Sequence, residues 1–282
     1  MIPYSLLELP LHSDKLSQLF GNLCLSKSTF RTITTKSNES LNWSHASALL
    51  KLASSITGVN LDTARFDESV AWCSSASDYH FARSELHAEL VRELSVFNFI
   101  WGAFETVVKI MSLPSVPKSN SIVDAACHYL NRAFESMSHV QHYEETVFDL
   151  RNLLLIDKQY GITEEDFKVG TYNDSSSIGI HIVRRIRNKF AHGTLNIPEP
   201  EKWTGKKSLD STLFNTSSRI ILLTIQMLII AYFKSSPLQI HWYRDRDWFD
   251  DDDYYLDVED SFIDIELERL VRIIHVQYRP PS

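Results

Sequence analysis

Glycine is scarce in this chain, with eight in 282 residues, against an average of about 7%. No stretch reads G-x-G-x-x-G or G-x-x-x-x-G-K-[ST], so the backbone cradles that dinucleotide- and nucleotide-binding enzymes build around phosphate are missing. Cysteine is scarcer still. Cys24, Cys73 and Cys127 are odd in number, far apart and free of any C-x-x-C, which excludes a disulfide framework and a zinc knuckle. G-x-S-x-G, H-E-x-x-H and HRD patterns are absent as well, leaving hydrolase and kinase chemistries of those types without support. Nor is there a long apolar run. The most apolar segment, Ile220 to Phe233, has about 14 residues, short of the roughly 20 of a membrane span, and it predicts a buried core helix. Met1 to Pro10 lacks a basic region leading into an apolar stretch and a small-residue cleavage site, so no secretory signal is expected. These absences predict a cytoplasmic protein without a membrane partner.

A composition of 44% hydrophobic and 23% charged residues is that of an ordinary folded protein and excludes a disordered or fibrous chain. The length allows one large domain, or one domain with an extension, with enough chain to bury a real core. The net charge of −8 argues against coating nucleic acid through bulk electrostatics. The charge is unevenly placed, however. Arg244 to Asp260 holds nine carboxylates against Arg244 and Arg246, whereas Ser175 to Pro198 holds no acid and carries Arg184, Arg185, Arg187 and Lys189.

Hydrophobic periodicity is helical almost throughout, predicting an all-α bundle. Leu86, Leu90, Leu94, Phe97, Trp101, Phe104 and Val108 recur at spacings of three and four and predict a long amphipathic helix over about Phe81 to Met111, stopped by Leu113-Pro114. Further helices are expected at Leu41 to Ile56, Ser121 to Met137, Val140 to Ile156, Ser177 to His192 and Leu209 to Phe233. Gly193 is placed as the C-terminal stop of the fourth of these. Ser261 to His275 fits a helix as well as a short strand, and helix is the preferred reading. The stretch near Leu25 to Ser40 is looser, and residues 1 to 60 are poorly specified. The expected organisation is an N-terminal helical extension (1–78), a helical bundle (79–236) and a C-terminal acidic and aromatic segment packed on it (237–282).

The window most informative about chemistry is Arg184-Arg185-Ile186-Arg187-Asn188-Lys189-Phe190-Ala191-His192-Gly193. A guanidinium is a rigid fork that can hold a phosphate bidentately and stabilise a pentacoordinate transition state. An imidazole can move or position a proton on a 2′-hydroxyl or a 5′ leaving oxygen. Five residues at 3.6 per turn place Arg187 and His192 roughly 140° apart on an ideal helix, so they converge only if His192 sits at a frayed end. Asn188 lies one turn before His192, where it can orient the imidazole.

Arg187-Asn188 followed by His192 resembles the R-x(4–6)-H motif of the HEPN superfamily. The order of a late helix, a loop and another apolar helix also agrees with that family. The resemblance is specific over Arg184 to Gly193 and loose over about Phe81 to Phe233. It implies a metal-independent endoribonuclease, needing no cofactor, that acts on RNA by attack of the 2′-hydroxyl and leaves 2′,3′-cyclic phosphate and 5′-hydroxyl ends. It further implies a homodimer whose composite cleft joins two copies of the motif, in a prokaryotic toxin, abortive-infection or phage-defence setting, with an antitoxin or regulatory protein as a further partner. On that reading Arg187 and His192 are catalytic with Asn188 orienting them, and Arg184, Arg185 and Lys189 contact RNA. Arg151-Asn152 begins a similar pair with no following histidine and reads as an ordinary surface pair.

Other clusters read more plainly. His139, His142, Glu144 and Glu145 lack a further ligand at metal-site spacing and read as an exposed helix start. Asp250 to Asp253 lack the spaced ligands and glycine of a calcium loop and read as a solvated acidic loop. The aromatics Trp242 to Tyr255, interleaved with acids, are better suited to anchoring the tail than to stacking on bases. Two rivals to the nuclease remain: a helical adaptor that binds RNA or protein without cutting, and a metal-dependent nuclease using the aspartates.

Overall fold

A computed structural model describes residues 4–26, 29–34, 40–117, 119, 121–134, 140–167, 176–194, 196–200, 208–234, 236–243 and 262–278. The acidic run from Asp245 to Asp260, the interleaved aromatics from Trp248 onward, and His139 lie outside these residues.

Helices form where periodic apolar residues meet local capping chemistry. α1 spans Leu9–Leu25, opens on Pro10 in its first turn, and buries Leu16, Leu19, Phe20 and Leu23. α2, Trp43–Ser55, starts at Asn42, whose side chain accepts the Ser44 N–H at 3.0 Å. α3, Ser74–Met111, is 38 residues long and begins seven residues before the expected Phe81. It ends where Ser112 turns left-handed ahead of Pro114. α4 (Ile122–Ala133) and α5 (Tyr143–Ile156) follow, both shorter at their starts or ends than the apolar pattern suggests. α6 spans Ile178–Ala191 and α7 Leu209–Tyr232.

α7 is the axis of the bundle, packing against α1, α3, α4, α5 and α6. Every side chain from Ile220 to Ile229 is fully buried, which explains why this stretch is apolar on all sides instead of striped. α3 and α7 each contain an 18-residue window that could cross a membrane by length and composition, and 61% and 83% of those windows are buried within the fold. One continuous core includes Leu16 of α1, Trp43 of α2, Phe97 of α3 and Ile225 of α7.

The strands are short and come in three antiparallel pairs: β1 (Tyr4–Leu6) with β6 (Val276–Tyr278), β2 (Ile33–Thr34) with β3 (Ser40–Leu41), and β4 (Gln239–Tyr243) with β5 (Phe262–Glu266). The helix expected over Ser261 to His275 is corrected here: Phe262–Glu266 is strand, and only Leu267–Ile273 is helical, as α8. Pairing decides it. Ile240 lies opposite Ile265, and Trp242 opposite Ile263, so alternate residues of both strands face the bundle.

Candidate functional site

α6 is positioned from both ends. At its start Gly179 lies so close to its neighbours that an added Cβ would meet the Tyr143 hydroxyl at 2.7 Å and methyl groups of Ile220 and Val147 at 2.8 and 2.9 Å. Only hydrogen fits there, so α6 crosses α5 and α7 at contact distance. Ile180, Ile182, Val183 and Ile186 then supply its buried stripe. At its far end the half-buried Phe190 meets the Phe214 ring edge-on at 6.2 Å, and Phe214 in turn meets Phe97 of α3 at 5.4 Å.

The helix stops where glycine scarcity makes the stop conspicuous. Gly193 has φ of 66° and its N–H donates to the Phe190 carbonyl at 2.9 Å, while the Thr194 N–H reaches the Lys189 carbonyl at 3.2 Å. These two bonds are the Schellman termination of an α-helix. His192, the last residue before the left-handed turn, is exposed, as are Ala191, Gly193 and Thr194. Its N–H donates to the Asn188 carbonyl at 3.0 Å. Asn188 is exposed one turn earlier, but among the described residues no hydrogen bond joins its amide to the imidazole. The chain after the turn is fastened: the Asn196 N–H donates to Gln159 Oε1 at 3.1 Å, and Gln159 Nε2 donates to Asp210 at 2.7 Å. Asp210, at the first turn of α7, also accepts from the Tyr160 hydroxyl at 2.7 Å, and burial raises its carboxyl above the usual range.

The three arginines of α6 have different fates. Arg184 donates to Asp124 of α4 at 2.6 Å and to Ser121 Oγ at 3.3 Å. Burial works against the Asp124 charge, yet the Ser119 hydroxyl and Arg184 together hold its carboxyl below the ordinary value. Arg185 pairs with Asp166, on the 3₁₀ turn Glu164–Phe167, whose carboxyl is likewise held low against burial by the Thr163 N–H and Arg185. The acid-free window of the sequence is therefore not acid-free in space, and Arg184 and Arg185 have structural partners. Arg187 instead lies over the ring of Trp101 on α3, 5.9 Å from its centroid, and has no ion pair among the described residues. A cation over a ring is held by the ring's quadrupole and not by an acceptor atom, so this contact leaves the N–H donors of Arg187 unspent. Lys189 is half-buried in the last turn with no ion pair among the described residues. Arg151, the internal comparison, is ion-paired with Glu164.

Two side chains of α3 have roles that its apolar stripe does not announce. The Trp101 indole N–H donates to Glu105 at 2.7 Å, which fixes the ring beneath Arg187. Glu93 is 5% exposed on the apolar stripe of α3, held by Arg92 at 2.6 Å and by the Asn215 amide at 3.1 Å. Its signal was available: Leu86, Leu90, Glu93 and Phe97 follow the three-and-four spacing, so a carboxylate stands where a hydrophobe is expected. Among the described residues no three His, Cys, Asp or Glu side chains converge as metal ligands; His142 pairs with Glu145 at 3.6 Å. Comparison with protein families, with curated proteins and with solved structures finds no match to this chain.

Proposed function

We propose that the protein is a metal-independent endoribonuclease whose site is the exposed C-terminal end of α6, with Arg187 holding the scissile phosphate and His192 moving or positioning the proton. The observation that carries this reading is the separation of roles among neighbouring arginines. Two are committed to carboxylates, while the arginine of the Arg-Asn-x-x-x-His pattern has no ion pair among the described residues, lies over the Trp101 ring and stands five residues before an exposed histidine at a helix end. A phosphate bound there gains charge-assisted bonds from Arg187 and the charge of Lys189. Cleavage proceeds by attack of the 2′-hydroxyl on the adjacent phosphorus and departure of the 5′ oxygen, leaving a 2′,3′-cyclic phosphate and a 5′-hydroxyl. A homodimer that brings two α6 ends together would supply the second pair of groups that a single helix, with Arg187 and His192 separated around its axis, does not converge. By its resemblance the setting is a prokaryotic toxin or phage-defence effector in the cytoplasm.

The missing side-chain link between Asn188 and His192 favours a second reading, an adaptor that binds RNA or protein through the same basic end without cutting. Incubation of the chain with RNA in EDTA separates the two. The nuclease reading requires cleavage that is lost in both Arg187→Ala and His192→Ala. Binding without cleavage in every chain leaves the adaptor.

A further inference from the structure

α3 is far longer than the bundle it serves. At 1.5 Å per residue its 38 residues span roughly 57 Å, against roughly 36 Å for the 24 of α7. The half from Phe97 to Met111 is buried against α2 and α7. The first half instead borders a groove of about 460 Å³, walled on its other side by the loop 59–64. Its floor carries Leu61, Phe81 and Ala88, and its lining also includes Asp62 and Glu85. Phe81, two turns into α3, is 67% exposed, and the segment before the helix presents Phe66 at 91% and Trp72 at 89%. Of these three rings Phe81 lines the groove, which gives it an exposed aromatic anchor.

The groove is preformed. The Thr63 N–H donates to Ser84 Oγ at 3.0 Å, the Thr63 hydroxyl donates to the His80 carbonyl at 3.1 Å, and the His80 ring pairs with Asp67 at 2.9 Å. These bonds tie the loop to α3 and hold the wall upright. Its charge is one-sided: the lining carries two carboxylates, Asp62 and Glu85, and no lysine or arginine. Arg83 is already bonded to Glu199 at 2.9 Å, and Glu85 has no ion pair among the described residues.

We propose that this groove docks a basic amphipathic helix of a partner protein, with an apolar side chain seated against Phe81 and lysine or arginine facing Asp62 and Glu85. Charge selects this occupant. A second copy docked symmetrically would set Asp62 and Glu85 against like charges, and nucleic acid would be repelled, whereas a helix with apolar anchors and a basic flank meets both features of the groove. The inference does not depend on the ribonuclease reading, because the groove shares no residue with the α6 end.

The test titrates the full chain into a fluorescently labelled helix of leucine and lysine, roughly 18 residues long and arranged as one apolar and one basic face. A leucine–glutamate helix serves as control. The expected result is saturable binding of the lysine helix alone, weakened by at least about tenfold in Phe81→Glu and again in Glu85→Lys, and unchanged in Arg187→Ala. Both groove positions are exposed, and circular dichroism confirms that the variants fold. Absence of binding, or binding undiminished by both substitutions, overturns the proposal. So does a wild-type dimer that Phe81→Glu converts to monomer, which would assign the face to a second copy.

Discussion

The Arg187 guanidinium carbon stands 5.9 Å from the centroid of the Trp101 ring. The attraction is to the quadrupole of the ring, and Arg187 has no hydrogen bond or ion pair among the described residues, so its donors are left for a ligand. The two preceding arginines spend theirs on Asp124 and Asp166. Truncation of Arg187 should therefore cost activity and little stability. Arg187→Ala is expected to lower the cleavage rate by about 10²-fold or more, the usual loss for a group stabilising developing charge, with a urea midpoint close to wild type. A full loss of fold in this variant would assign Arg187 to the bundle instead.

Arg184→Ala should show the converse. Removing it strands Asp124, whose carboxylate is held low by Ser119 and Arg184. A destabilisation of about 1 kcal/mol is expected for this partly exposed pair, read from urea unfolding. The salt dependence of RNA binding should move with Arg187 and Lys189 and not with Arg184.

At Gly179 the expected effect is steric. An alanine methyl has no room among Tyr143, Val147 and Ile220, and Gly179→Ala should cost about 1–3 kcal/mol by overpacking. Thermal unfolding measures it. Because α6 must shift to accept the methyl, nuclease activity should fall with it at temperatures where the variant remains folded. An unchanged melting temperature would mean that α6 does not approach α5 and α7 this closely.

The chain termini predict a dependence on pH. His12 Nε2 donates to Gln226 Oε1 at 2.8 Å, Gln226 Nε2 donates to His275 Nδ1 at 3.0 Å, and His275 Nε2 donates to the Gln141 carbonyl at 2.9 Å. This directed chain requires a neutral His275, since a proton on its Nδ1 would face the amide N–H, and a proton on His12 Nδ1 would be buried without an acceptor. Burial lowers His12 well below its ordinary value, and the nearby His275 and Arg219 add to it; burial lowers His275 from 6.5 to about 4, reinforced by His142 and Arg219. Both histidines have depressed values in the folded state, so the unfolded chain binds more protons as pH falls below 6.5, and stability declines from there towards pH 4. His275 alone accounts for roughly 3 kcal/mol across that interval. The Leu7 N–H donates to the His275 carbonyl at 2.9 Å, and β1 pairs with β6 beside it, so the termini should loosen first. Hydrogen exchange of Leu7 and the β6 amides at pH 7 and pH 5 checks this. Equal protection at both values would contradict it.

The parts of this fold legible in the sequence are those whose signals are local. The 3.6-residue stripe of α6, its glycine stop and the apolar α7 needed nothing beyond neighbouring residues, and the structure places them where the pattern does. α1 escaped notice, although Leu16, Leu19, Phe20 and Leu23 carry a helical period, because it lies within residues 1 to 60, whose pattern specifies no boundaries there. β5 escaped because Phe262–Glu266 satisfies both periods, and its strand conformation comes from pairing with β4, whose partner residues lie 19 to 27 positions earlier. The same limit applied to charge. The motif arginine could be picked out by spacing, but the neutralisation of Arg184 depends on Asp124, 60 residues earlier, and no window around α6 contains that carboxylate.

The central claim is that the α6 end cuts RNA by 2′-hydroxyl attack, and the chemistry of the fragment ends tests it most directly. Wild-type protein and His192→Ala are incubated with mixed cellular RNA in EDTA, and the products are assayed for 2′,3′-cyclic phosphate and 5′-hydroxyl groups. The account predicts both end groups from wild type and intact RNA from the variant. Fragments bearing 5′-phosphates, or equal cleavage by His192→Ala, would contradict it.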